Sequence, residues 1–150
     1  MTKLKISTIR TDGGTQPRAH KDDETVLEYA EAMLTGQEFP PVVVFYDGEA
    51  YWLADGFHRH AAAVKAGIDT LNADVRQGSL RDAVLYSVGA NATHGLRRTN
   101  ADKRRAVERL LNDDEWSRWS NREIARRCAV SEQLVRSLRF NRSVTGIKFQ

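Results

Sequence analysis

The stretch Tyr51–Gly67, YWLADGFHRHAAAVKAG, constrains this chain most. An apolar run stops at Asp55-Gly56, and a helix of small residues then opens with His58, Arg59 and His60 in its first turn. A glycine at such a junction lets the backbone turn sharply and approach its neighbours closely. The run Ala61-Ala62-Ala63 lets the helix lie tight against a sheet with the positive end of its dipole outward. The first N–H groups of a helix have no partner inside it, so backbone donors and three basic side chains converge on one patch. Positive charge there opposes the dipole, which points to a bound anion, with phosphate the natural guest. A plain turn followed by a solvated first turn uses the same residues, and these residues alone leave both readings open.

The flanking sequence supplies a sheet for that helix. Leu4, Ile6 and Ile9 predict a short first strand, broken by Thr11-Asp12-Gly13-Gly14, and Gln16-Pro17-Arg18 follows in a loop. Arg18, beside a rigid proline, reaches a phosphate or stays a surface arginine. Val26, Leu27, Ala30, Met33 and Leu34 predict an amphipathic helix over 24–34, ended by Gly36. Val42–Tyr46 reads as a buried strand and Asp47-Gly48-Glu49 as a hairpin turn into a strand over 50–54. Leu71, Ala73 and Val75 predict an inward-facing strand over 69–77, and Ser79 caps a helix running through Ala83, Val84, Leu85, Val88 and Ala92.

Charge divides the chain. Residues 1–75 carry 7 Lys/Arg against 12 Asp/Glu, whereas residues 76–150 carry 16 against 8. An arginine-rich half is the electrostatic footprint of a nucleic-acid partner. Thr93–Thr99 is a basic loop in which His94, Arg97 and Arg98 contact phosphate or are simply solvated. Thr99 or Asn100 caps a helix over 101–111, and Trp116 and Trp119 are expected in a core.

Residues 124–138, IARRCAVSEQLVRSL, have the spacing of a helix-turn-helix, placed at about 121–140. Ile124, Ala125 and Cys128 point inward, Ala129 stands at the turn where glycine is usual, and Val130 plugs the core. Ser131 caps the second helix, and Val135 and Leu138 pack inward. Glu132, Gln133, Arg136 and Arg139 then face outward to base edges, with Arg122, Arg126 and Arg142 nearer the phosphates. A helical hairpin with no DNA role shares this spacing. The expected architecture is an α/β domain over 1–95, a small mixed sheet with helices, followed by an all-α module over 96–150.

With these pieces placed, the chain resembles the ParB/sulfiredoxin superfamily, on its ParB side. The resemblance is carried by Gln16-Pro17-Arg18, the Pro41–Val44 strand, Gly56-Phe57-His58-Arg59 with its alanine-rich helix, Asn91, and the helix-turn-helix. It implies a nucleotide-binding domain joined to a DNA-binding module. Two family boxes hold the triphosphate and magnesium of CTP; Gly56 and Arg59 match the first and Asn91 the second. His58 and His94 stand where the boxes have arginines, and Phe57 and Ala90 where they have glutamates. The implied nucleotide set is therefore Gln16, Arg18, Gly56, His58, Arg59, His60, Asn91 and His94. Hydrolysis is expected to be slow or absent, because Ala90 cannot serve the metal-bound water. Phe57 occupies the position of the sulfiredoxin cysteine, so no sulfiredoxin activity is expected.

The function expected is a DNA-binding partition or regulatory protein with a CTP-like nucleotide, acting on double-stranded DNA as a homodimer. The alternative is a ParB-fold nuclease or NTPase using His58, His60 and His94. No dedicated metal site and no membrane span are expected. MTKLKISTIR lacks the apolar centre of a signal peptide, so a cytoplasmic protein associated with nucleoid or plasmid is expected. The chain stops about ten residues past the recognition helix, so clamp closure by a C-terminal dimerisation domain is not expected from it.

Overall fold

The computed structural model describes residues 1–16, 23–90 and 98–145. The first compact unit extends to Ser87 and the second begins at Val88, so the division falls inside a helix. The boundary expected at residue 95 lies outside the described residues.

The first unit is a five-stranded mixed sheet. Its strands are β1 (Thr2–Lys5), β2 (Ile9–Arg10), β3 (Val42–Tyr46), β4 (Tyr51–Asp55) and β5 (Thr70–Gln77), in the order β1-β5-β3-β4-β2. The N-terminal strand anticipated as one piece is two. A 3-10 turn at Ile6–Thr8 intervenes, with the Thr8 hydroxyl donating to the Lys5 carbonyl at 2.7 Å and the Ile6 amide to Asp69 at 2.8 Å. β1 then pairs antiparallel with β5 at one edge, and β2 pairs parallel with β4 at the other. Leu4 and Ile9 thereby reach the core from opposite edges.

β3 is central and buried along most of its length, which explains its unbroken apolar run. Val42 and Val44 face a cluster with Leu4, Ile9, Leu53 and Ala73, against which Phe57 packs; Val43 and Phe45 face Ala54 and Ala83. Helices α1 (Asp23–Leu34) and α2 (Phe57–Lys65) meet through Val26, Ala30 and Ala62, while α3 (Leu80–Gly89) contributes Ala83 to the second face. Ala62 and Ala63 are fully buried, and alanine is what permits that close approach. The β3–β4 hairpin is fixed by Asp47, whose carboxylate accepts from the Glu49 and Ala50 amides and from Trp52 Nε1 at 2.8–2.9 Å. Those donors hold its carboxyl down at about 2.

The second unit contains α4 (Asn100–Leu111), a 3-10 turn (Trp116–Arg118), α5 (Asn121–Cys128) and α6 (Glu132–Thr145). Thr99 is the cap of α4, in a reciprocal box with Asp102. Leu110, Trp116, Ile124, Cys128, Val135 and Leu138 form its core, as the periodicity requires, whereas Val130 is only half-buried. Burial pushes the Cys128 thiol up to about 12, so this cysteine is a packing group. Among the described residues no helix is long and apolar enough to cross a membrane.

Ala129, which joins α5 to α6, has φ 54°, the one positive φ among the described non-glycine residues. A left-handed alanine costs roughly 1–2 kcal/mol that glycine avoids, part of it returned as chain entropy. Ala129→Gly should therefore raise stability by about 1 kcal/mol in urea titration. A lowered midpoint would show that the turn is not limited by this residue.

Candidate phosphate turn and nucleic-acid interface

The turn between β4 and α2 has the sharp geometry its sequence demands. Gly56 has φ 103°, and a Cβ there would lie 2.6 Å from Val42 Cγ1. The residue is thus fixed both by backbone conformation and by its approach to β3. Arg59, in the first turn of α2, donates through Nη1 to the Pro40 and Pro41 carbonyls at 2.7 and 2.9 Å. Its Nη2 lies 3.4 Å from Asp55 Oδ2, and the two side chains are 15% and 9% exposed.

This arrangement corrects the electrostatic argument made from sequence. The positive charge of Arg59 is answered by two carbonyls and Asp55 within the chain, so it does not itself demand an external anion. Arg59 is a strut between α2 and the entry to β3. It also lines a pocket of about 220 Å³ with Pro40, Val42, Thr70, Asn72 and Lys3.

Two polar atoms at this turn have no hydrogen-bond partner among the described residues: Asp55 Oδ1 and His60 Nε2. Burial holds the His60 imidazole below its usual pKa, so the folded protein binds this proton less readily than the unfolded chain does. Its contribution is complete above the unfolded pKa of about 6.5 and is lost as pH falls below it. His60→Gln should accordingly flatten the decline in melting temperature between about pH 7 and pH 5. The same slope in both proteins would assign that decline to other groups.

His58 and Gln16 are half-buried in the same unit. Thr15, which the sequence did not single out, is buried and donates to the Leu53 carbonyl at 2.5 Å, anchoring the segment before Gln16. Arg18, Asn91 and His94 lie outside the described residues, as does Arg97.

In the second unit, Ser120 caps α5 by accepting from the Glu123 amide, and Ser131 accepts from the Leu134 amide at the start of α6. Arg122, Arg126, Glu132, Gln133 and Arg136 are exposed. Arg126 is bound to Glu123 through Nε and Nη2 at 3.0 and 2.7 Å.

Two arginines assigned to DNA from sequence make hydrogen bonds inside the second unit. Arg139 donates to Asn121 Oδ1 and to the Ser117 and Trp119 carbonyls at 2.8–2.9 Å. Arg142 donates to Asn112 Oδ1 and the Leu111 carbonyl at 2.7 and 3.0 Å. The reason is angular. At 100° per residue, Arg139 falls about 40° and Arg142 about 20° from the buried Val135, on the core stripe.

Arg98, read as a loop cation, donates to the Cys128 and Ala129 carbonyls at 2.8 and 2.7 Å and so closes the end of α5. Gly89 approaches the same end: a Cβ on it would lie 2.6 Å from the Arg127 carbonyl oxygen.

A small mixed-sheet domain with a glycine turn into a short helix, followed by a helical unit closing on α5 and α6, defines the class of protein. The fold is similar to that of a C-terminally truncated chromosome-partitioning protein ParB from Caulobacter crescentus. Solved in complex with the centromeric parS site, that protein gives a TM-score of 0.58 at 18% identity, covering 91% of this chain and 68% of that one. Solved with CTP-γ-S, it gives 0.55 at 17%, covering 96% and 86%. At these identities the likeness is one of fold.

The family model for the ParB N-terminal domain matches residues 1–92, and the chain belongs to that family. Transcriptional regulator NovG of Streptomyces niveus is 31% identical over 122 residues, covering 81% of this chain and 36% of that protein. Stage 0 sporulation protein J of Bacillus subtilis is 36% identical over 86 residues, covering 57% and 29%. The chain thus spans about a third of the length of these curated relatives.

Proposed function

We propose that this chain is a ParB-like DNA-binding protein of the partition or regulatory type, whose first unit binds a CTP-like nucleoside triphosphate with magnesium. The observation that carries the reading is the outward face of α6. Val135 and Leu138 are buried while Glu132, Gln133 and Arg136 stand exposed near the start of the helix that Ser131 caps. That is the arrangement in which a second helix of a helix-turn-helix presents side chains to a major groove. The relatives point the same way: one is named a transcriptional regulator, and the ParB fold neighbour was solved with parS DNA and with a CTP analogue.

The turn at Gly56 suits a phosphate-bearing ligand in part. The backbone N–H groups at the start of α2 and the His58 side chain supply donors, while Arg59 holds the turn's shape. Among the described residues no three His, Cys, Asp or Glu groups cluster as metal ligands. Magnesium would draw most of its ligands from phosphates and solvent.

Calorimetric titration of the whole chain with CTP and magnesium tests the nucleotide assignment. Saturable binding that weakens in His58→Ala is expected; no heat at millimolar CTP contradicts it. Anisotropy titration with duplex DNA tests the other half, and binding that falls steeply with salt is expected.

A further inference from the structure

α5 carries three side chains whose charges do not balance. Arg126 and Arg127 are consecutive, and Glu123 lies one turn before both. Glu123 meets the Arg126 fork with both carboxylate oxygens, and its Oε1 also accepts from Arg127 Nε at 2.9 Å. Arg127 in addition stacks over the Trp119 ring at 5.0 Å. One carboxylate therefore occupies the polar edges of two guanidinium groups, and the Arg126 edge has the forked geometry with which arginine grips a phosphate.

These pairs lie at the surface, the Arg126 side chain being 65% exposed, Arg127 38% and Glu123 31%. Exposed ion pairs contribute little net stability, so this one does little to brace the fold. The two arginines keep the Glu123 carboxyl down at about 2, so it is charged throughout the physiological range. Ser120 fixes the Glu123 backbone at the helix start, which tethers the carboxylate within one helical turn of both arginines.

Building on the DNA-binding reading above, we propose that Glu123 is a tethered counter-ion that competes with DNA phosphates for Arg126 and Arg127, lowering the protein's affinity for DNA of arbitrary sequence. A phosphate must displace a partner that is already present at high effective concentration. Backbone contact alone is then a poor source of affinity, and binding depends more on base contacts made by α6. Glu123 is a specificity-determining residue that need not touch a base.

The test is anisotropy titration of the whole chain against a labelled duplex of arbitrary sequence over several salt concentrations. Glu123→Gln should bind about 5–20 times more tightly than the unmodified protein, with a slope of log affinity against log salt steeper by about one to two units, one for each arginine released. Glu123→Gln combined with Arg126→Gln should lose at least half of that added slope. Glu123→Asp keeps the charge but shortens its reach, and should give a partial gain; it decides the matter if the glutamine protein melts before binding is read. Unchanged or weaker binding by Glu123→Gln, or by Glu123→Asp in that case, overturns the proposal, as does a double variant that retains the full gain. Absence of duplex binding by both the unmodified and the Glu123→Gln proteins at every salt fails the DNA-binding reading itself, a result distinct from binding that Glu123 does not modulate.

Discussion

Arg139→Ala is expected to lower the stability of the second unit by about 3 kcal/mol, read as a shifted urea midpoint followed by tryptophan emission. The side chain makes three hydrogen bonds, to Asn121 Oδ1 and to the Ser117 and Trp119 carbonyls, tying α6 to the turn that leads into α5. A hydrogen bond to a charged group contributes roughly 1.5–3 kcal/mol, and three that share one guanidinium add less than their sum. Truncation also strands acceptors that are partly withdrawn from water. Arg136→Ala, three residues earlier and exposed, should change stability by no more than about 0.5 kcal/mol. Equal midpoints for these two variants would mean that the Arg139 brace does not persist in solution.

Gly56→Ala should cost the first unit about 3 kcal/mol or more through two separable effects. At φ 103° any side chain is strained, and the added methyl would meet Val42 Cγ1 at 2.6 Å. Pairing the change with Val42→Ala distinguishes them. The double variant should recover the steric part relative to Val42→Ala alone and keep the conformational part, giving a coupling energy of about 1 kcal/mol or more. Strict additivity would show that the backbone conformation carries the whole cost. Nucleotide affinity measured on the folded fraction should fall as well, because the turn sets where the first amides of α2 point.

Much of this arrangement was legible in the sequence, for identifiable reasons. An Asp-Gly between an apolar run and an alanine-rich segment has few conformations open to it, so the β4–α2 turn could be read directly. The continuous run Val42–Tyr46 marked a strand buried on both faces, and the stripe of Ile124, Cys128, Val135 and Leu138 fixed how α5 and α6 pack. What escaped was set by distance along the chain or by angle. Nothing near Arg59 announces that Pro40 and Pro41, 19 and 18 residues earlier, supply its acceptors. The split of the first strand between opposite sheet edges depends on pairing with β4 and β5, which local alternation does not encode. The roles of Arg139 and Arg142 were within reach: residues four and seven places beyond Val135 fall on its own stripe. Their charge suggested DNA, and helical geometry adds the bracing contacts that charge alone does not reveal.

Reading of DNA by the outward face of α6 is tested most directly by sequence selection from a random duplex pool. The unmodified chain should enrich a defined motif. Arg136→Ala should bind that motif about ten-fold or more weakly and, when used for selection, relax preference at one base pair while the others persist. Arg139→Lys, which retains charge at a bracing position, should select the unmodified motif wherever it remains folded. An Arg136→Ala protein that is folded and enriches the same motif with the same affinity would contradict the account, because the helix placed in the groove would then not be the one that reads it.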